Sequence, residues 1–319
     1  MKFSKTILFT ALSALALNAF ASEKVHNVAI TAIVEHPALD TIRQGVIEEL
    51  ARQGFEEGKN IKIDFQSAQG STATAAQIAR KFVGDKADII IPITTPSAQP
   101  VVAATRSIPI VFSGVTDPVA AKLVKSWEPS GTNVTGISDH KPIEPQLQLI
   151  QTLVPELKAV GYVYSAGEVN SAIVLEELQN AAAKANVKVV PVAVQRSADI
   201  GTAARSLNGK VQAIYISEDN AVVSAYEALH KAALEAKVPV IAADRDTVKR
   251  GALAAYAVSQ YDIGAETGKI AARILNGEKA GDIATHGVNK MELSVNTQTA
   301  KELGTLIPEN ILNEAKEQF

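Results

Sequence analysis

The sequence predicts an α/β protein of two lobes, each a doubly wound parallel sheet with helices on both faces. Three observations lead there. Short, nearly unbroken apolar runs alternate with amphipathic helical stretches through short polar links, the pattern of a parallel sheet buried on both faces. The alternation breaks once, at 131–139 (GTNVTGISD), and then restarts. The length, 319 residues, exceeds what one compact core usually holds.

The first lobe opens with an apolar strand at 28–34, which stops at Glu35-His36-Pro37-Ala38. Leu39, Ile42, Val46 and Leu50 then share one face of a helix, and Gly54 follows where a helix terminator belongs. A strand at 61–65, a polar loop and a helix at 74–83 come next. The strand at 88–93 stops at Thr94-Thr95-Pro96-Ser97, and the strand at 108–113 stops at Thr116-Asp117-Pro118. Both stops carry a hydroxyl and a proline suited to a helix start, so a helix is expected after each. In an open α/β sheet this edge is where ligands sit, and helix N-termini there favour an anion such as a carboxylate.

After the break the rhythm resumes. Helices are expected at 145–153, 172–186 and 197–207, and strands at 159–164, 188–194, 213–217 and 238–242. The strand at 213–217 ends in Glu218-Asp219-Asn220, and the one at 238–242 is followed by Asp244. A strand at 253–258, a helix at 262–275, a strand at 291–295 and a short helix at 299–303 complete the chain. These last pieces are too few for a third domain and must return to the two sheets. The expected division is 22–138 with 260–288 in one lobe, and 139–259 with 289–319 in the other.

Residues 1–21 read as a signal peptide. Lys2 and Lys5 precede an apolar stretch too short to span a bilayer, and Ala19-Phe20-Ala21 fits the cleavage pattern. With no cysteine in the chain, neither disulfides nor a lipid-anchored cysteine are expected. The mature chain is therefore expected to be soluble in a Gram-negative periplasm. A net charge of −3 gives no reason to expect nucleic acid as a partner.

Sequence motifs for catalysis do not occur. G-x-S-x-G, H-E-x-x-H and the phosphate-binding P-loop are missing. Five scattered histidines without cysteine serve metal ligation poorly. No enzyme, cofactor or metal is expected, and His36 reads as a cap or packing contact. What the strand ends do offer is small polar residues. In the first half these are Ala38, Thr95, Ser97, Thr116 and Asp117. In the second half they are Asn170, Ser171, Asp219, Asn220 and Asp244, with Asp139 at the junction. Hydroxyls and N–H groups facing acids would suit a zwitterion, although each acid also suits a helix N-cap. Asp219, which ends a strand, is the first choice for an ammonium, with Asp139 and Asp244 behind it.

At this point a resemblance enters. The segments EHPALD (35–40), GFEEGKNIKIDFQSAQG (54–70), ATRSIPIVFSGVTDPVAAKLV (103–124) and GTNVTGISD (131–139) carry it, with YISEDNAVVSA (215–225), VKRGALAAYAVSQYDIG (248–264) and VNTQTAKELG (295–304). As a set they resemble the ABC-transporter substrate-binding proteins that include the tryptophan/tyrosine-type binding proteins. The resemblance implies a type I periplasmic-binding-protein fold whose lobes close on a ligand about a three-strand hinge. It implies a free amino acid as ligand, aromatic or branched and apolar in preference. It implies as partner an inner-membrane ABC permease with its ATPase subunit, and a monomer. A sensor subunit for a membrane receptor, or a nucleoside or sugar binder, is the alternative. The chain departs from the family's Gram-positive members, which carry an anchoring cysteine, and has Ala-Asp-Arg-Asp at 243–246, where ligand choice is open.

Overall fold

The computed structural model describes residues 24–319; the expected signal peptide, 1–21, lies outside the described residues. The chain runs β1 (His26–Ala32), α1 (Pro37–Arg52), β2 (Ile61–Ser67), α2 (Thr72–Gly84), β3 (Ile89–Ile93), α3 (Thr95–Ala104), β4 (Ile110–Ser113) and β5 (Val134–Ser138). It continues with α4 (Ile143–Leu153), β6 (Ala159–Ser165), α5 (Val169–Lys184), β7 (Lys188–Val194), α6 (Ile200–Arg205), β8 (Ala213–Ile216), α7 (Asn220–Ser224) and α8 (Tyr226–Glu235). The last elements are β9 (Val240–Ala242), α9 (Arg245–Lys249), β10 (Ala254–Val258), α10 (Gln260–Leu275), β11 (His286–Gly287), β12 (Met291–Val295), α11 (Thr297–Leu303), α12 (Glu309–Glu314) and β13 (Glu317–Gln318).

The strands form two sheets, in the orders β11-β5-β4-β3-β1-β2 and β13-β12-β10-β9-β8-β6-β7. The first is wholly parallel. The second is mixed, because β12 runs antiparallel to β10. Central strands such as β3 and β8 are buried along their whole length, which is why they read as unbroken apolar runs. Each sheet has cores on both faces. In the first lobe Leu39, Ile42, Val46 and Ile270 of α1 and α10 cover one face, and Ile78, Phe82 and Val101 of α2 and α3 cover the other. In the second lobe Leu207, Tyr226 and Leu229 lie on one side, and Leu147, Ile150 and Leu178 on the other.

The chain passes between the sheets three times: from β5 to α4, from β10 to α10, and from β11 to β12. The second passage returns α10 to the first lobe, where it packs on α1 through glycines. A Cβ on Gly264 would collide with the carbonyl oxygen of Ile42, and one on Gly45 with that of Tyr261. Among the described residues no helix is long and apolar enough to cross a membrane.

Several details correct the reading of the sequence. No helix follows Pro118; the chain makes only turns between β4 and β5. The Asp117 carboxylate accepts hydrogen bonds from the N–H groups of Val119 and Ala120, and Lys122 takes a left-handed φ of 60°, so the turn closes before a second helical turn can form. The expected helix at 197–207 is a 3₁₀ turn at Ser197–Asp199 followed by the short α6. The small elements β11, α12 and β13 had no counterpart in the sequence reading.

Candidate functional site

The C-terminal ends of both sheets face one another, and two small cavities lie between them. The first, about 20 Å³, is lined by Thr116, Asp139, Lys141, Asn170, Tyr215 and Glu218, among others. The second, about 10 Å³, is lined by His36, Ala38, Thr94, Asn220, Asp244 and Gln260, again with Asp139 and Glu218. The last two residues therefore separate the cavities. Each has room for about one water molecule, so the lobes touch here, while a hollow of about 270 Å³ stays between them at Ile33, Gly70, Glu168, Arg196 and Asn220. A larger hollow of about 530 Å³ lies at Asn27, Lys62 and Ala87, near the opposite ends of β1 and β2. Its Lys81 is paired with Asp64 at 2.6 Å and with Asp85 at 2.8 Å, and it has none of the cleft's unpartnered buried groups.

On the first-lobe side, α3 begins at the cleft. Its N-cap, Thr94, has φ 69° and ψ 163° and makes no side-chain cap, a conformation that is almost restricted to glycine. The hydroxyls of Thr94 and, one turn on, Ser97 are buried and have no partner among the described residues. Thr95 is buried beside them and Ala38 stands at the start of α1. The buried His36 imidazole lines the same cavity with its Nδ1 unpartnered. Burial, with a smaller push from the Arg250 guanidinium, lowers its pKa to about 3, so the ring is neutral.

On the second-lobe side the charges concentrate. Lys141 Nζ donates to Glu218 Oε2 at 2.5 Å and to the Asp139 carbonyl at 3.0 Å. Gln260 Nε2 donates to the other Glu218 oxygen at 2.6 Å. Burial and the nearby Asp139 carboxylate push the Glu218 pKa well above the ordinary range, against the pull of Lys141. Burial works to lower the pKa of Lys141, but Glu218 and Asp139 outweigh it and the ammonium is held. Asp139 is 4% exposed, and its Oδ1 has no partner among the described residues. Asp244 caps α9 through Thr247, and burial raises its pKa. One buried lysine thus stands among three buried carboxyl groups, bonded to the Glu218 carboxylate and raised by the charges of Asp139 and Asp244.

Beneath this surface a polar layer fixes the wall. Asp219 is fully buried, and its two oxygens accept from Ser165 N, Ser165 Oγ, Ser171 Oγ and Val222 N. Every lone-pair site is used, so it leaves nothing for a ligand ammonium and cannot take the role that the sequence reading gave it. Ser171 is committed to Asp219 in the same way. Glu168 accepts from Asn170 and from the side chain and N–H of Asn220. Burial first, then the Asp219 carboxylate, pushes its pKa up to about 7. This places Asn170 with its Oδ1 unpartnered at the first cavity. Asp117 lies apart from both cavities, its carboxylate spent on the turn described above.

The structure therefore brings Ala38, Thr116, Asp139, Asn170, Asn220 and Asp244 to the cavities, with Thr95 and Ser97 at the adjoining helix start. Asp219 and Ser171 stand behind the wall and Asp117 stands aside. His36, Lys141, Glu168, Glu218 and Gln260 were not singled out as site residues. The sequence does carry a signal for Glu218, the first residue of the Glu218-Asp219-Asn220 triplet at the end of β8.

Residues 27–319 match the profile of the family described as ABC transporter substrate binding protein. The tyrosine-binding protein of Clostridioides difficile (strain R20291) is 42% identical over 282 residues, which is 88% of this chain and 82% of that protein. A solved domain from Streptococcus pneumonia in complex with L-Trp superposes with a TM-score of 0.90 at 33% identity, covering 93% of this chain and 100% of that one. A ligand-free, open substrate-binding protein from Clostridium difficile reaches a TM-score of only 0.69, despite 40% identity and cover of 92% of this chain and 99% of that one.

Proposed function

The chain belongs to the ABC transporter substrate binding protein family, and on that premise we propose that it binds a free α-amino acid between its lobes and delivers it to an inner-membrane permease. One observation carries the reading. Asp139 Oδ1, just past the end of β5, and the hydroxyl of Thr94 line the same cavity, with the Ser97 hydroxyl one turn on in α3, and all three are buried polar atoms without a partner among the described residues. Buried polar groups are hydrogen-bonded in almost all native proteins. An acceptor and donors at one cavity suit an ammonium and a carboxylate carried on one carbon. The helix dipole at the start of α3 adds to the carboxylate side, and the surplus of carboxyl groups around Lys141 adds to the ammonium side.

The ligand's side chain is apolar or aromatic in this reading. Ile143, Val174 and Tyr215 wall the first cavity, and Leu39, Ile42 and Val223 the second. The L-Trp complex and the tyrosine-binding relative support the same class. The lobes, 22–138 with 260–288 and 139–259 with 289–319, are the units that part to admit it. Export after removal of 1–21 to the periplasm as a monomer, and coupling to a permease with its ATPase, complete the proposal. Intact-mass measurement on periplasmic extract should find a chain beginning at Ser22; a full-length membrane-bound species would refute the export step.

The ligand reading is tested by a thermal-shift screen of the mature protein against the amino acids, nucleosides and simple sugars. A bound ligand raises the melting temperature by mass action. Apolar or aromatic amino acids should raise it, and Asp139→Asn should abolish the shift while melting normally without ligand. A shift with a nucleoside or sugar alone would overturn the amino-acid assignment.

A further inference from the structure

Lys141 is an unusual wall for such a site. Its side chain is 6% exposed, and it sits in the first passage between the lobes rather than on a sheet. It lines the first cavity beside Ile143, Val174 and Tyr215. Two of its three N–H groups are engaged, by Glu218 Oε2 and the Asp139 carbonyl. A buried ion pair adds little to stability that an apolar pair of the same volume would not. Its consequence for the cleft is charge. Asp139, Glu218 and Asp244 bring three carboxyl groups to the two cavities, and Lys141 offsets one of them. Asp139 is the group still short of a partner, nine-tenths buried with Oδ1 unbonded among the described residues.

We propose that Lys141 is the specificity-determining residue for ligand charge: it leaves the cleft matched to one ligand ammonium and rejects a ligand that carries a second cation. The inference rests on the amino-acid reading above and deepens it. A lysine or arginine side chain entering the first cavity meets the Lys141 ammonium across a low-dielectric gap, where like charges repel strongly. An acidic side chain meets Asp139 and Glu218. A neutral side chain meets the three apolar walls. With Lys141 made neutral, the first cavity keeps its carboxyl groups and loses the one cation that the second positive charge of a dibasic amino acid would meet.

The test is titration calorimetry on the mature protein with L-tryptophan, L-leucine, L-lysine and L-arginine. Wild type and Lys141→Arg should bind neither dibasic amino acid. Lys141→Met should shift the ratio of dibasic to neutral affinity by at least about tenfold, a difference of affinities of the size that one like-charge contact produces. Lys141→Gln, which keeps a donor for Glu218 and removes only the charge, gives the same reading if the methionine variant melts too low. An unchanged ratio in the single neutral variants overturns the proposal. So does binding of a dibasic amino acid by Lys141→Arg, which keeps the charge, because shape and not charge would then be responsible. A wild type that binds no neutral amino acid strikes the ligand reading instead, while a gain of lysine on neutralising Lys141 still supports the charge assignment.

Discussion

At the scale of single residues, the cleft is defined by which polar atoms the protein itself uses. Asp219 and Glu218 are neighbours at the end of β8, yet one carboxylate is locked inward by four hydrogen bonds and the other faces the cavities. Successive side chains at a strand end point to opposite sides, and sequence alone does not tell which side is the cleft. Asp219→Ala should therefore destabilise the ligand-free protein by about 3 kcal/mol, since Ser165 and Ser171 lose a charged acceptor in the interior. Urea denaturation measures this, and a loss below about 1 kcal/mol would contradict the structural role. Two buried titrating groups give opposite pH dependences. His36, lowered to about 3, is protonated only in the unfolded chain between there and its ordinary value near 6.5. Its share of the stability is complete above that value and lost as the pH falls. Glu168, raised to about 7, holds its proton in the folded chain only. Its share is present below the ordinary glutamate value and lost as the pH rises through 7. Each slope is at most about 1.4 kcal/mol per pH unit. Between pH 7 and 5, His36→Gln should lose less melting temperature than wild type and Glu168→Gln should lose more. Parallel curves for all three proteins would remove both assignments.

At the scale of elements, most of the architecture was legible and the reason is burial. The strands that hold the site are short apolar runs because both of their faces are covered, and their ends were visible as Thr-Thr-Pro-Ser and Glu-Asp-Asn. The helix expected after Pro118 was not there, because Thr-Asp-Pro is equally the chemistry of a side-chain-closed turn, and only the packed structure decides between them. Lys141 carried no sequence signal at all: it is one lysine after a glycine-bounded segment, and its significance comes from Glu218, 77 residues away. The junction of α1 and α10 was also invisible, since small residues at a helix contact form no motif by themselves. That contact is a sharp test of the packing. Gly264→Ala should cost about 2 kcal/mol or more because the new methyl meets the Ile42 carbonyl. Gly84→Ala, with open space around it, should be neutral or slightly stabilising. Equal effects at the two positions in chemical denaturation would show that the helices do not approach as closely as described.

At the scale of the whole molecule, the passages between the lobes and the site are one system. Lys141 lies in the first passage, Gln260 begins α10 in the second, and both bond Glu218 of the second lobe. The chain superposes better on an L-Trp complex than on an open, ligand-free relative of higher identity, so its lobe arrangement is nearer to that of the former. Hinge closure around a ligand is the usual response of such two-lobed folds. Small-angle scattering should give a smaller radius of gyration with ligand than without, and an unchanged radius would count against closure. The central claim, that the cleft reads the two charged groups of a free amino acid, is met most directly by calorimetric titration of the mature protein. The ligands are L-tryptophan, L-tyrosine and L-leucine, each beside its N-acetyl and carboxamide derivatives. At least one free amino acid should bind, and both blocked forms of it should lose about 30-fold or more, the cost of leaving a buried charged group unpaired. Blocked and free forms binding alike would contradict it.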